Sequence, residues 1–418
     1  METSGEQKLP FHLTGAFAPV GEERTERELP FTGRIPLELR GTFVRNGPNP
    51  RTGWSPAWFA GEGMLHGIRI EAGRAAWYKC RWIKGPRAPN TSIVRHAGRV
   101  LTLVETSLPV EVTPELETIA PYDFDGAVMG SMTAHPKTCP RTGELIFFST
   151  SRTPPYLTYF RADAAGRVIH RTVIELAAPA FMHDFAITER YTIFYVPPVR
   201  VGDFRSPVPL QWLEQVPTRF AILPRAGGAE TVRWFEVAPC SITHIVNAFE
   251  SDGRVVVDAV SGPRIMASHS WRRYRFDLGS GRATESEVDS RFVDFPRVHP
   301  AFVGVRQRYA YTVELRDFGA DGSFTKTIAR QHDLERGTAT AQDFGAGSMP
   351  GEGVVAPRPG FASEQDAWIL QLVHRKEGAE TALVILNAAD YEAPPVASIR
   401  IPGRVPYGLH AEWLPDLA

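Results

Sequence analysis

Short apolar segments separated by glycine turns recur along almost the whole chain. Val168–Ile174 and Tyr191–Val196 are two of them, and the run Val-Val-Val at 255–257 lies in another. Segments of this length with frequent turns are typical of β-sandwiches, barrels and propellers. The 36 glycines and 35 prolines also indicate many turns and few long helices. The pattern therefore predicts an all-β fold.

The length of the chain decides between these architectures. An all-β chain of 418 residues can form one unit, since barrels and propellers of this size need not divide into domains. A barrel with so many strands would enclose a wide lumen, whereas a propeller fills its centre with the innermost strands of its blades. We therefore predict a single propeller domain over residues 1–418, in which residues 1–30 form an N-terminal strap rather than a strand.

Four histidines each stand at the edge of a predicted strand, far apart in sequence: His135, His183, His244 and His410. Neutral imidazole is a common ligand of divalent transition metals. Four distant segments can supply one site only in a closed fold that brings them to a common axis. From the residues alone, buried histidines that serve only the packing of strand ends are an equally good interpretation.

Charge and cysteine content narrow the class of protein. The 46 basic and 47 acidic residues give a net charge of −1, which argues against a nucleic-acid partner. The three cysteines, at positions 80, 139 and 240, suggest neither a disulfide framework nor a cysteine metal site, so we expect a cytoplasmic protein. No apolar run is long enough to span a bilayer, but the apolar, loop-like stretch 196–223 could contact a membrane surface or cover a substrate entrance.

Seven motifs resemble those of the carotenoid cleavage oxygenases, in the same order and over residues 41–415. They are Gly-Thr-Phe-Val-Arg-Asn-Gly-Pro-Asn-Pro at 41–50, Gly-Glu-Gly-Met-Leu-His-Gly at 61–67, Ala-His-Pro-Lys at 134–137, Phe-Met-His-Asp-Phe-Ala-Ile-Thr-Glu at 181–189, His-Ile-Val-Asn-Ala-Phe-Glu at 244–250, Asp-Phe-Pro-Arg at 294–297 and Pro-Tyr-Gly-Leu-His at 406–410.

The resemblance implies a seven-bladed β-propeller with a loop-built cap over its top face. It also implies one iron(II) ion per chain on the propeller axis, held by His135, His183, His244 and His410. The implied reaction is the oxidative cleavage, by O2, of a C=C bond in an apolar conjugated alkene, a carotenoid or apocarotenoid, to two carbonyl products. We expect a monomer.

The resemblance further implies three carboxylates that accept hydrogen bonds from the histidine ligands, and it assigns them to Glu105, Asp294 and Glu364. Such a carboxylate fixes the tautomer and the ring angle of the imidazole. Members of the family usually have glutamate where Asp294 stands, so we expect a weaker hydrogen bond there or an intervening water. Thr91 falls where some members place a threonine beside the open coordination position.

The substrate class follows from Val104. Members that cleave hydroxystilbenes tend to have a lysine immediately before the first carboxylate, and Val104 occupies that position here. An apolar polyene is therefore favoured over a stilbene-type aryl-alkene. Two alternatives remain open: an iron-dependent polyene isomerase that consumes no O2, and a non-catalytic propeller that binds a lipid or a protein.

Overall fold

The computed structural model describes residues 9–85, 87–202, 210–265, 267–319 and 322–416. Strands dominate these ranges, and the only helices within them are single turns of 3-10 helix. These turns are Phe11–Leu13, Gly15–Phe17, Trp58–Ala60, Ala229–Thr231, Pro300–Phe302, Lys376–Gly378 and Ala388–Asp390. None of the helices in these ranges is long and apolar enough to cross a membrane.

Seven antiparallel sheets form the blades of a propeller, so the predicted all-β, seven-bladed fold is confirmed. Blade 1 contains Arg24–Arg27, Gly41–Pro48, Gly63–Glu71, Arg74–Trp82 and Ala411–Pro415. Blade 2 contains Ser92–His96, Arg99–Leu103, Val110–Val112 and Thr118–Pro121. Blade 3 contains Lys137–Thr138, Leu145–Thr150, Leu157–Ala162 and Val168–Ile174. Blade 4 contains Ala186–Ile187, Tyr191–Val196, Thr218–Pro224 and Arg233–Val237.

The remaining three blades follow the same order along the chain. Blade 5 contains Ser241–Ser251, Arg254–Gly262, Ser270–Asp277 and Ala283–Asp289. Blade 6 contains Val293–Arg297, Tyr309–Arg316, Lys326–Asp333 and Thr338–Ala341. Blade 7 contains Phe31–Gly33, Met349–Pro357, Ala367–Arg375, Glu380–Asn387 and Ala397–Ile401. A separate hairpin pairs Val199–Val201 with Leu210–Trp212, and residues 203–209 between them lie outside the described ranges. The predicted loop over 196–223 is therefore partly strand.

A hairpin of blade 5 shows how the local sequence builds a blade. Along Ser270–Asp277 one or two polar side chains separate the apolar ones, and Trp271, Tyr274 and Phe276 are buried. At the end of the strand a carboxylate oxygen of Asp277 accepts hydrogen bonds from the backbone nitrogens of residues 279 and 280. Gly281 then adopts a φ of +74°, which favours glycine, and the chain turns back.

The two ends of the chain close the ring within blade 1. Ala411–Pro415 pairs with the strand at 41–45, so the last strand becomes the innermost strand of the blade. Arg24–Arg27 pairs with residues 77–80 and forms the outer edge of the same blade. The expectation that residues 1–30 contain no strand is therefore wrong for 24–27, a polar segment that pairs with a partner distant in sequence.

The hydrophobic core lies between neighbouring blades. One cluster joins Ile193 and Phe220 of blade 4 to Val257 and Tyr274 of blade 5, all of them buried. The innermost strands of blades 4 to 7, 1 and 2 lie beside one another around the axis. Because each innermost strand begins at the same end of the propeller, residues just before or within these beginnings come together on the axis. The loop-built cap stays a prediction.

Candidate metal centre

The four predicted histidines converge at one point on the propeller axis. His135 precedes the first strand of blade 3, His183 precedes that of blade 4, His244 lies in that of blade 5, and His410 precedes the innermost strand of blade 1. One ring nitrogen from each lies within 4.8 Å of the other three. The Nε2 atoms of His135 and His183 are 3.1 Å apart, and two further pairs, 183 with 244 and 244 with 410, are each 3.2 Å apart.

Carboxylates hold the outer nitrogens of three of these rings. The Nδ1 atom of His183 contacts Glu105, that of His244 lies 2.6 Å from Asp294, and that of His410 lies 3.1 Å from Glu352. An ionised carboxylate only accepts hydrogen bonds, so each Nδ1 carries the hydrogen. The Nε2 atoms of the same three rings then present lone pairs to one another.

Facing lone pairs at about 3 Å repel each other unless a cation lies between them, and this donor set fits a metal ion. A divalent transition metal bonds to imidazole nitrogen at about 2.1 Å, so two such ligands at right angles stand about 3.0 Å apart. The observed separations of 3.1 and 3.2 Å match this geometry. Imidazole nitrogens suit iron, zinc, copper and nickel rather than calcium or magnesium.

The electrostatics around the four histidines favour ionised carboxylates and electron-rich imidazoles. Burial opposes ionisation of Glu105, but its interaction with the His183 ring outweighs burial and lowers the pKa of the carboxyl group. Conversely, Glu105 raises the pKa of His183 against the effect of burial. A carboxylate that makes an imidazole more basic in this way strengthens it as a metal ligand. Burial and the neighbouring imidazoles hold the pKa of His135 well below its usual value, so this ring is neutral.

Asp294 reaches its histidine directly, contrary to the expectation of a weakened or water-mediated contact. The 2.6 Å between Asp294 Oδ1 and His244 Nδ1 leave no room for an intervening molecule. The same oxygen accepts a hydrogen bond from the backbone nitrogen of Phe295, which adopts a φ of +52°. This sharp bend after residue 294 accompanies the approach of the shorter side chain to the ring.

Glu364 lies elsewhere, and Glu352 takes the place predicted for it. The two carboxylate oxygens of Glu364 accept hydrogen bonds from the backbone nitrogens of Arg308 and Tyr309. Glu352 instead contacts Nδ1 of His410 and also accepts from the backbone nitrogen of Ala411 at 2.7 Å.

The position of these two glutamates in blade 7 explains the error. Glu352 lies in the innermost strand Met349–Pro357, which begins at the axis, whereas Glu364 lies in the connection to the next strand, Ala367–Arg375. Asp294 likewise lies near the beginning of the innermost strand of blade 6. Glu352 and Asp294 therefore share a position near the beginning of an innermost strand, and the strand that contains Glu352 was not predicted from the sequence.

Thr91 touches the cluster through its backbone. Its carbonyl oxygen accepts a hydrogen bond from the backbone nitrogen of His410 at 3.2 Å, and its own nitrogen donates to Leu103. The hydroxyl group donates to the side chain of Asn90 at 3.1 Å. A role for this hydroxyl group beside an open coordination position stays a prediction.

A second acid, which sequence reasoning did not single out, joins three of the histidine segments. Asp184 is 1% exposed, and one of its oxygens accepts a hydrogen bond from the backbone nitrogen of Phe185 and forms an ion pair with Nζ of Lys137, both at 2.7 Å. The other oxygen accepts from the backbone nitrogen of Ile245, also at 2.7 Å. Residues 137, 184 and 245 stand two, one and one positions after His135, His183 and His244. We call this arrangement the Asp184 clamp.

Comparisons with known proteins place the whole chain in one family. Residues 17–88 and 84–415 match the family described as retinal pigment epithelial membrane protein. The carotenoid cleavage oxygenase of Mycobacterium tuberculosis is 32% identical over 99% of this chain and 99% of its own length. The chain belongs to the carotenoid cleavage oxygenase family. This membership identifies it as an enzyme of the dioxygenase type.

Two further members of the carotenoid cleavage oxygenase family show its breadth. The carotenoid 9,10(9',10')-cleavage dioxygenase 1 of Arabidopsis thaliana is 32% identical over 98% of this chain and 90% of its own length. The crystal structure of the lignostilbene dioxygenase of Pseudomonas brassicacearum superposes with a TM-score of 0.88 at 28% identity, covering 98% of this chain and all of the other. The names of these two relatives thus cover both carotenoid and lignostilbene substrates.

Proposed function

We propose that the chain is a non-haem iron(II) dioxygenase that cleaves a C=C bond of a carotenoid or apocarotenoid to two carbonyl products with O2. The observation that carries the proposal is the convergence of four imidazole nitrogens in a member of an alkene-cleaving family. Carboxylates orient the rings so that three of these nitrogens present lone pairs to the common point.

In this proposal His135, His183, His244 and His410 hold one iron(II) ion. Glu105, Asp294 and Glu352 orient three of these ligands and keep them electron-rich. When bound, the ion would supply the activation of O2 for addition to the alkene. Four neutral ligands leave coordination positions for O2, and Thr91 would border one of them. Among these residues no pair of groups is set up for general acid–base chemistry, and the cleavage requires none.

Exposed apolar side chains in the segments that precede two of the histidines fit an apolar substrate. Met129 and Phe181, which are 77% and 36% exposed, lie in the segments that lead to His135 and His183. Side chains of this kind would admit a hydrocarbon chain at this side of the propeller, and they would also suit peripheral contact with a membrane surface that delivers the substrate.

A stilbene-type aryl-alkene is the second candidate substrate, and the likeness to the lignostilbene dioxygenase favours it. Against it stands Val104, an aliphatic residue beside Glu105, because a phenol oxygen would gain no hydrogen bond from it. A panel of apocarotenals and 4-hydroxystilbenes, assayed under the same conditions, distinguishes the two substrate classes.

The test measures O2 uptake and alkene consumption together, with iron-reconstituted protein and each substrate of the panel. The proposal predicts one O2 consumed per alkene cleaved and two carbonyl products by mass spectrometry. Isomerised product without O2 uptake would establish the isomerase instead. A pigment that binds and returns unchanged in air, with iron present, would establish a non-catalytic binding protein.

A further inference from the structure

A buried arginine with no partner acid lies between the chain ends that close the ring. Arg45 is 4% exposed and stands on the strand Gly41–Pro48 of blade 1. Its Nε and Nη2 atoms have no hydrogen-bond acceptor within the described residues. Arg330, another buried arginine, forms an ion pair with Glu314, and Arg225 contacts the sulfur of Cys139. Arg45 has neither kind of partner within the described residues, so its charge is uncompensated.

The groups around Arg45 are neutral. His66 lies opposite it on the next strand and is hydrogen-bonded through Nδ1 to the hydroxyl group of Tyr78 at 2.8 Å. His374 of blade 7 contacts the carbonyl oxygen of Met349 through Nδ1, so this nitrogen carries the hydrogen of the neutral ring. We call Arg45, His66, Tyr78 and His374 the Arg45 cluster.

No member of the cluster supplies a negative charge. Burial, together with the charge of Arg45, lowers the pKa of both histidines, to about 4 for His374. Burial raises the pKa of Tyr78 well above its usual value, so this phenol stays protonated. Burial lowers the pKa of Arg45 to about 10, which still leaves the guanidinium charged at neutral pH. An isolated buried charge is costly, and proteins pair such charges with an opposite one.

We propose that the Arg45 cluster binds a small inorganic anion, a halide such as chloride, as the counter-ion of the guanidinium. The guanidinium supplies the charge and two unpartnered N–H donors, Nε and Nη2, and one donor hydrogen of the hydrogen-bonded pair His66 and Tyr78 is left for such an ion. The close packing around Arg45 selects a small ion, because its Nη1 atom already lies against two glycines. A Cβ atom added at Gly47 or Gly408 would stand 2.3 or 1.5 Å from Nη1.

This anion site would stabilise the segment that carries the fourth histidine. Gly408 stands two positions before His410, and the intervening Leu409 donates a backbone hydrogen bond to the carbonyl oxygen of Asn46, next to Arg45. A guanidinium held in place by an anion keeps this contact between blade 1 and the 406–410 segment in register. The inference is independent of the proposed reaction, since it concerns the closure of the ring.

The decisive experiment is anomalous diffraction from crystals of the full chain soaked in sodium bromide. A bromide peak within hydrogen-bond distance of the Arg45 guanidinium is expected. In solution, the midpoint of thermal unfolding should rise with the logarithm of chloride concentration, compared with gluconate at equal ionic strength. Arg45→Met should abolish this difference, whereas Arg273→Met, which removes a partly buried arginine paired with Asp258, should keep it.

Each outcome decides the proposal. No bromide at Arg45, or wild-type protein with equal midpoints in chloride and gluconate, would overturn it. Bromide in the crystal without a chloride-dependent midpoint would mean an adventitious ion only and would also overturn it. If Arg45→Met does not fold, the two measurements on the wild-type chain still decide.

Discussion

Substitution of Asp184 by asparagine tests whether the Asp184 clamp positions the metal ligands. The carboxylate accepts two buried backbone hydrogen bonds and contacts the ammonium group of Lys137, all at 2.7 Å. An amide keeps one acceptor and turns an NH2 group toward a backbone N–H, most directly that of Ile245. Asp184→Asn therefore leaves a buried donor without an acceptor and a largely buried ammonium without its counter-charge.

The expected loss of stability follows from these contacts. A buried donor left without a partner costs about 1–3 kcal/mol. Removing one partner of a buried ion pair costs about 3–5 kcal/mol, and the side chain of Lys137 is 19% exposed, so the lower end applies. We expect Asp184→Asn to lower the free energy of unfolding of the metal-free protein by about 3–5 kcal/mol in total, because the two losses share one side chain. Urea denaturation measures this quantity.

The iron affinity shows whether Asp184 positions the metal ligands or only stabilises the fold. Residues that orient metal ligands typically change the affinity by about 10–100-fold when they are replaced, and we expect a fall in this range by chelator competition. The control is Asp258→Asn in blade 5, which removes a fully buried acid paired with Arg273. It should reduce stability by a similar amount and leave iron affinity within about 3-fold. Equal iron affinities in the two variants, or a stability change below about 0.5 kcal/mol for Asp184→Asn, would refute the reasoning.

Three further predictions concern other parts of the site. Glu352→Gln should weaken iron binding by about 10–100-fold, because it removes the charge beside His410, whereas Glu364→Gln should leave iron binding unchanged. Equal iron affinities of the two variants by chelator competition would argue against Glu352 as the acid that supports His410. Gly408→Ala should lower the free energy of unfolding by about 1–3 kcal/mol or more in urea denaturation, since the added Cβ atom would overlap the neighbouring guanidinium. Gly21→Ala, with open space around it, should change this free energy little, and similar values for the two variants would be inconsistent with the packing. Iron removal should lower the thermal midpoint of the wild-type protein and change that of His183→Ala very little; a metal-independent wild-type midpoint would contradict the proposed site.

The blades could be predicted where local sequence decides them. Val168–Ile174 and Tyr191–Val196 were predicted with the bounds that the structure shows, because an apolar pattern and flanking turn residues mark both ends. Arg24–Arg27 could not be predicted in this way. Its polar side chains are mostly exposed at the edge of blade 1, and only the backbone pairing with residues 77–80 makes it a strand.

The histidines could be located by their motifs, but their supporting residues depend on the three-dimensional arrangement. Asp184 stands beside His183 in the sequence, yet its partners at positions 137 and 245 are brought to it only by the closed ring. The confusion of Glu364 with Glu352 has the same origin, since a carboxylate supports His410 only if its strand begins at the axis.

The most direct test of the central claim is the iron content of the chain after anaerobic reconstitution with iron(II) and removal of loosely bound metal. We expect about one iron per chain in the wild-type protein. Each of His135→Ala, His183→Ala, His244→Ala and His410→Ala should lose it, whereas His96→Ala, a buried histidine that contacts the backbone of Gly143, should keep it. No iron in the wild-type protein, or undiminished iron in the four variants, would contradict the four-histidine centre.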